Sequence, residues 1–269
     1  MTQIRGAHIL ITGAASGIGR LLALGVAARG GRLTLLDRDE TGLAAVQKEI
    51  AQAGGDAAVF LVDLSSRIAI QETARQVQQI RGTVDILVNN AGIVSGKPLL
   101  EIPDEAIERT FQVNTLALFW MVRAFLPAMI TQGRGHLVNI ASAAGLAGTS
   151  RLTDYCSSKY AAVGFDESLR LELKRLGLPI RTTIVRPFYI DTGMFKGVKT
   201  RFSWLLPILK PDYVTRRILG AIEGNRARLI MPRFLLVLPL VRLLPPGPFD
   251  ALLGFFGVNC SMDDFKGRA

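Results

Sequence analysis

The chain has 269 residues, 49% of them hydrophobic, enough for a sizeable core in one large domain or a domain with an appendage. Its two cysteines, Cys156 and Cys260, exclude a disulfide framework and fit a reducing compartment. The formal net charge is +10, and residues 196–245 hold ten Lys and Arg against Asp212 and Glu223. A basic stretch of this kind meets nucleic acid, an anionic membrane surface or only solvent. The apolar residues between the charges favour the membrane over nucleic acid, and a solvated face is an equal alternative.

The first element is the apolar run His8–Thr12, read as a strand. It ends in Gly13-Ala-Ala-Ser16-Gly17-Ile18-Gly19, and a helical segment follows through Arg29. Strand, glycine turn and helix form a phosphate-cradling context: the glycines allow close backbone approach, and the helix start offers free amides to a pyrophosphate. The spacing is G-x-x-x-G-x-G, not the usual G-x-G-x-x-G. A second strand, Arg32–Asp37, closes on an acid placed to hydrogen-bond an adenosine ribose, which favours NAD. Arg38 follows directly and could receive the 2′-phosphate of NADP instead.

A helix over 41–53 leads to a third strand, 57–62, ended by Asp63-Leu64. Those two residues either meet an adenine at the strand end or cap the next helix, 69–80. The fourth strand, 84–88, runs into Asn89-Asn90-Ala91-Gly92, which packs a sheet edge or lines the same crevice. A long amphipathic helix is expected from Asp104 to Met129, with Pro127 marking a break. Asn114 lies inside it, where asparagine is a poor helix former and takes either a buried polar role or a solvent-facing position.

The fifth strand is Gly135–Ile140, and Ser142 stands just past its end, where ligands bind in open α/β sheets. Then comes Tyr155-Cys156-Ser157-Ser158-Lys159, opening a helix. Tyr155 and Lys159 are four apart and so neighbours on one face. An ammonium beside a phenol favours the phenolate, and a phenol so tuned can move a proton at a carbonyl or alcohol. Taken alone, the pair also fits an ordinary surface i,i+4 contact. Cys156 reads as a buried thiol, and His136 as structural. A sixth strand covers 181–186, a loop runs from Pro187 to Met194, a helix covers 211–224 and a last strand Arg228–Met231. Strand and helix alternate throughout, which argues for a doubly wound, Rossmann-like parallel sheet in an α/β single domain with a C-terminal apolar extension. Residues 1–195 form the expected core, and 196–269 a substrate flap, the last strand and that extension.

Taken together, T-G-A-A-S-G-I-G (Thr12–Gly19), Asp37, Asp63-Leu64, N-N-A-G (Asn89–Gly92), Asn114, Ser142, Y-C-S-S-K (Tyr155–Lys159) and Pro187 to Thr192 resemble the short-chain dehydrogenase/reductase family across nearly the whole chain. The resemblance implies hydride transfer between an alcohol or carbonyl and a nicotinamide, in a homodimer or homotetramer. It implies Tyr155 as acid/base, Lys159 lowering its pKa and holding the nicotinamide ribose, Ser142 on the substrate oxygen and Asn114 in a proton relay. It places Gly13, Ser16, Gly17, Ile18 and Gly19 at the phosphates, and Asp37 and Arg38 at the adenosine ribose. Asp63 and Leu64 fall at the adenine, Asn90, Ala91 and Gly92 on the adenosine side, and Pro187, Ile190 and Thr192 at the carboxamide. No residue is assigned to a metal.

Pro187-Phe188 replaces the Pro-Gly of many members. With Thr192-Gly-Met-Phe195, Leu206-Pro-Ile-Leu-Lys-Pro211 and Met262-Asp-Asp-Phe265, it resembles the branch of retinol and 17-beta-hydroxysteroid dehydrogenases of membranes and lipid droplets. A lipophilic alcohol is the implied substrate, and NAD the implied cofactor ahead of NADP. An NADPH-dependent carbonyl reductase and a non-catalytic nucleotide-sensing or lipid-binding protein are the alternatives. Those relatives often carry an N-terminal anchor, whereas Met1 to Gly6 here leads straight into a strand, so a cytoplasmic protein is expected. The apolar segment 232–256 is interrupted by Pro239, Arg242, Pro245, Pro246 and Pro248, too often for a spanning helix. It reads as a lid and oligomer contact, or as a peripheral membrane contact. Met194, Phe195, Phe202, Trp204 and Leu205 are expected to wall a substrate pocket.

Overall fold

Strand β1 (His8–Thr12) is buried along its whole length, as a strand covered on both faces must be. A computed structural model of the chain describes residues 1–267 and places β1 near the middle of a seven-stranded sheet. The other strands are β2 (Arg32–Asp37), β3 (Asp56–Leu61), β4 (Ile86–Asn89), β5 (Gly135–Ile140), β6 (Ile180–Pro187) and β7 (Arg228–Met231). Their order is β3-β2-β1-β4-β5-β6-β7, and every pairing is parallel. The order reverses between β1 and β4, which opens a crevice at their C-terminal ends. The chain is a single Rossmann-like α/β domain, as its strand–helix alternation predicts.

Alternation along β1 decides what each face buries. Ile9 and Ile11 join a core with Leu22, Val26, Leu43, Ile50 and Ile218, beneath helices α1 (Gly17–Ala27), α2 (Glu40–Gln52) and α7 (Pro211–Glu223). Leu10 joins the opposite core with Ile70, Val77, Met121, Phe125 and Leu173, beneath α3 (Arg67–Arg81), α5 (Ala117–Thr131) and α6 (Thr153–Arg175). Each such side chain contributes about 1.5–3 kcal/mol by leaving water. Local caps set the helix starts: Asp39 accepts from Gly42 N, and Ser66 from Ala69 N.

The expected single helix from Asp104 is instead two, α4 (Asp104–Phe111) and α5, joined through a π-helical turn at Gln112–Leu116. That turn carries Asn114. Pro127 does not break α5, which continues to Thr131. A proline removes one backbone donor, and packing of Phe125 and Met129 into the core holds the helix through that loss. Asp104–Thr131 is long and apolar enough to cross a membrane by length and composition, but half of its most apolar window is buried inside the protein, as in a core helix.

After β7, residues 233–256 fold into a turn of 3-10 helix (Arg233–Val237) and two short helices, α8 (Leu238–Val241) and α9 (Pro246–Phe255). They cap one side of the crevice.

Candidate active site

The glycine turn is built by close approach. Gly13 has φ +65° and Gly17 φ +56°, values that favour glycine. A Cβ on Gly13 would stand 2.8 Å from Ala91 Cα, so the β4 loop presses directly on the turn. Asn90 locks the two together: its Nδ2 donates to Thr12 O at 2.9 Å and to Gly13 O at 3.2 Å. Thr12 Oγ1 answers by accepting from the amides of Asn90 and Ala91. Gly19 lies behind the turn, outside the cleft wall, where a Cβ would stand 2.0 Å from Gly13 O. Its need for glycine is packing within the protein.

A cleft of ≈ 330 Å³ runs from this turn along the strand ends. Gly13, Ser16, Gly17 and Ile18 line its centre; Asp37, Arg38, Asp63 and Leu64 one end; Asn90, Ala91 and Gly92 its floor. Ser142, Tyr155, Lys159, Pro187, Ile190 and Thr192 line the other end. The Asp37 carboxylate is fixed by three amides, accepting from Ala15 N (2.9 Å), Arg38 N (2.7 Å) and Asp39 N (3.2 Å). Asp63 accepts from Ser65 N and Oγ and from Arg109 Nη2 at 3.2 Å. Partial burial pushes the Asp63 carboxyl up, but the Ser65 bonds and the Arg109 and Arg38 charges outweigh it and hold it below its ordinary value. Arg109, on α4, was not singled out from the sequence, because no motif marks it.

Helix α6 positions the chemistry-bearing pair. Asp154, in its first turn, is buried and accepts from Ser95 Oγ and Thr110 Oγ1 at 2.8 and 2.9 Å, which pins the helix start. Tyr155 and Lys159 are both buried on the cleft side, with Lys159 Nζ 5.6 Å from the centre of the tyrosine ring. Lys159 Nζ donates to Ile140 O at 3.1 Å. The expected lowering of the Tyr155 pKa does not come from the protein's own groups. Desolvation by burial pushes the phenol well above its ordinary value, and the Ser142 hydroxyl only partly offsets this. Burial also lowers Lys159, to about 8. Both groups are thus held toward their neutral forms.

Asn114 lies behind the cleft wall, fully buried. Its Oδ1 accepts from Ile93 N at 2.8 Å, and its Nδ2 donates to Ile93 O and Ser158 Oγ at 2.9 and 3.0 Å. Ser158 Oγ in turn donates to Tyr155 O at 2.7 Å. A Cβ on Gly92 would meet Asn114 Oδ1 and Lys159 Nζ, each at 3.4 Å, so this glycine keeps the space between them open. A π-turn at such a residue is a recurrent feature of functional sites.

A second cavity of ≈ 90 Å³ adjoins the first and shares Ser142, Tyr155, Phe188 and Phe195 with it. Its remaining wall is nearly all apolar: Leu152, Leu206, Phe234, Leu238, Leu253 and Phe256 among others. Phe195 stands edge-on to Tyr155 at 5.7 Å, and Met194 lines the larger cleft. Phe202 instead packs on Phe255 and Phe256, while Trp204 is 80% exposed and forms no part of the wall. Leu206 takes the place expected for its neighbours. The tail folds back over the flap: Ser261 Oγ bonds Tyr189 OH at 2.9 Å, and Lys199 pairs with Asp264 at 2.6 Å. Among the described residues, no group of three or more His, Cys, Asp or Glu could hold a metal ion.

The cleft suits a dinucleotide on its own geometry, with glycines where backbone must approach, an acid at the end of β2 and length enough to reach Tyr155. Comparison with known proteins agrees. A family model described as short chain dehydrogenase matches residues 7–201. Epidermal retinol dehydrogenase 2 of Mus musculus is 44% identical over 275 residues, covering 99% of this chain and 87% of the relative. A short-chain dehydrogenase/reductase from Burkholderia phymatum, solved in complex with NAD, superposes with a TM-score of 0.82 at 28% identity, covering 90% of this chain and 95% of that one. A metagenomic short-chain oxidoreductase, solved with NADP, superposes at 0.71 with 31% identity, covering 85% and 96%. The chain therefore belongs to the short-chain dehydrogenase/reductase family, and is an oxidoreductase similar to the retinol dehydrogenases within it.

Proposed function

We propose that the protein transfers a hydride between a lipophilic alcohol and NAD, with Tyr155 as the acid/base. One observation carries this reading: Ser142 and Tyr155 stand at the junction of a cleft lined by charged side chains such as Asp37, Arg38, Asp63 and Lys159 and an apolar pocket without a charged side chain. The retinol dehydrogenase similarity supports the lipophilic substrate.

The amides at the start of α1, with Gly13, Ser16, Gly17 and Ile18, hold the pyrophosphate. Asp37 holds the adenosine ribose, Asp63 and Leu64 the adenine, Lys159 the nicotinamide ribose, and Pro187, Ile190 and Thr192 the carboxamide. The bound oxidised nicotinamide supplies the hydride acceptor and a positive charge that favours the tyrosine phenolate. Ser142 and Tyr155 hold the substrate oxygen by hydrogen bonds. Tyr155 takes the hydroxyl proton as the carbinol carbon gives up its hydride, which leaves a carbonyl. The gap beside Gly92, between Lys159 and Asn114, is the route by which that proton reaches solvent. Orientation in one closed site supplies much of the acceleration.

Asp37 favours NAD, because its charge repels a 2′-phosphate. Arg38 and Arg109 line the same end of the cleft and favour the second reading, an NADPH-dependent carbonyl reductase. Residues 1–195 form the nucleotide-binding and catalytic core, and 196–267 the substrate flap and cap; the last two positions of the expected 196–269 extension lie outside the described residues. Leu116 and Phe119, three apart and exposed, support a homodimer or homotetramer. The exposed Leu236, Leu240, Leu243 and Leu244 of the cap support peripheral contact of residues 232–256 with a membrane, on an otherwise cytoplasmic protein. Initial rates of NADH and NADPH formation across alcohols of increasing length test the function. Oxidation of long apolar alcohols with NAD is expected, and a preference for short polar alcohols would overturn it.

A further inference from the structure

The apolar pocket is small as it stands. Its ≈ 90 Å³ falls well below the roughly 300–1,000 Å³ of cavities that enclose a drug-sized ligand. A bulky alcohol lodged on the apolar side of Ser142 and Tyr155 therefore needs more room than that pocket holds, and a wall must move to give it. The α8–α9 cap is that wall, because its inner face meets the protein through Leu235, Leu238 and Leu253 against Ala143, Leu146, Ala147 and Leu206. Such contacts are non-directional and can slide. Its outer face is unpacked, with Leu240 72% and Leu243 81% exposed.

One side chain ties the cap directionally to the catalytic elements. Arg242, at the end of α8, donates from Nη1 to Leu146 O at 2.6 Å and to Tyr160 OH. Its guanidinium lies 5.3 Å from the Tyr160 ring centre and 5.8 Å from that of Phe249 on α9. Leu146 follows the turn that begins at Ser142, and Tyr160 follows Lys159. Through that one nitrogen and its planar face, the guanidinium thus spans both segments that carry the site and both helices of the cap. Among the described residues, the other polar side-chain bond to the cap, Arg201 Nη1 to Phe255 O at 3.1 Å, comes from the flap.

We infer that Arg242 is a latch and a positioning residue: it holds the cap shut over the apolar pocket and so sets how large an alcohol is admitted. This rests on the reading of that pocket as the substrate site. When only an open minority binds the bulky substrate, apparent affinity falls by the open fraction. Releasing the latch raises that fraction. Small alcohols, which fit the closed pocket, are indifferent to it.

The test uses the full-length protein with saturating NAD, all-trans-retinol as the bulky probe and 2-butanol as the small one. Arg242→Met keeps the apolar stem and removes the guanidinium. It lowers KM for retinol about fivefold, leaves kcat within about twofold and leaves the 2-butanol KM unchanged. Arg242→Lys, with the charge but not the planar guanidinium stacked on Tyr160 and Phe249, falls between. Tyr160→Phe keeps the aromatic face and the Leu146 bond and shifts the retinol KM about twofold. An unchanged ratio of the two KM values, or a parallel change in both, overturns the latch. Thermolysin cleavage at the inward-facing Leu235, Leu238 or Leu253 under native conditions reads cap opening without any substrate. It is about fivefold faster in Arg242→Met at an unchanged melting temperature, and equal rates overturn the latch. Turnover of neither alcohol by the wild type, with faster cleavage in the variant, sinks the assigned substrate and leaves the latch standing.

Discussion

Replacing Asp37 by Asn isolates the charge that the NAD preference rests on. The amide keeps one oxygen to accept from Arg38 N and Asp39 N, now at 2.7 and 3.2 Å from Oδ1, while the negative charge disappears. A ribose held against that carboxylate brings a 2′-phosphate to about 6 Å, where each pair of unit charges interacts by about 1.4 kcal/mol at an effective dielectric of about 40. The phosphate carries roughly −1.5 to −2 charges. The attractions of Arg38 and the Asp63-paired Arg109 at the same end are present in both proteins and cancel in the difference, which leaves about 2 kcal/mol at the lower phosphate charge, roughly a 30-fold change in the ratio of kcat/KM for NAD over NADP. Ala15 N, 2.9 Å from Oδ2, loses a charged partner, so about 1–3 kcal/mol of stability is lost as well. Initial-rate kinetics with both cofactors, at a temperature where both proteins are folded by circular dichroism, give the ratio directly. A wild type that prefers NADP, or a variant whose ratio equals the wild type's, refutes the reasoning.

Tyr155→Phe removes the acid/base hydroxyl and is expected to cut kcat by about 10²–10⁴ while cofactor affinity, followed by fluorescence titration, holds. Near-normal turnover would remove Tyr155 from the chemistry. Gly19→Ala places a methyl where Gly13 O and Asn90 Nδ2 already stand and costs about 1–3 kcal/mol in urea unfolding; a neutral result would show that the turn can yield. His136, buried between Thr2 and Thr183, is lowered by desolvation and the Arg181 charge from 6.5 to about 4. The unfolded chain then binds the extra proton, so stability is full above pH 6.5 and falls as pH drops toward 4. Relative to His136→Gln, the wild type is expected to lose about 2 kcal/mol between pH 7 and 5, and parallel curves would refute this. Deleting residues 232–269 should abolish flotation on anionic vesicles, whereas equal flotation of both proteins removes the membrane contact.

Much of the fold was legible because its signals are local. Each strand is a short apolar run, and the glycine turn is marked by glycines packed within a few positions of one another. Asp37 and Asp63 follow from strand ends, and Tyr155 and Lys159 from helical spacing. Pro127 misled, because a proline's local penalty was set against tertiary packing that the run alone does not display. The pKa of Tyr155 misled likewise, since spacing shows the ammonium and hides the burial that opposes it.

What the sequence alone determined, therefore, was the alternation of strand and helix, the phosphate turn and the residues at the strand ends, all announced by patterns a few positions long. Tertiary structure decided the rest. The apolar pocket gathers stretches around 142–152, 188–206 and 234–258, and Arg242 reaches Tyr160 across 82 positions. Gly19 and Asn114 proved to stand behind the cleft rather than on it. Hydrophobic burial and desolvation act on whatever surfaces the fold brings together, and separation along the chain does not encode which surfaces those will be.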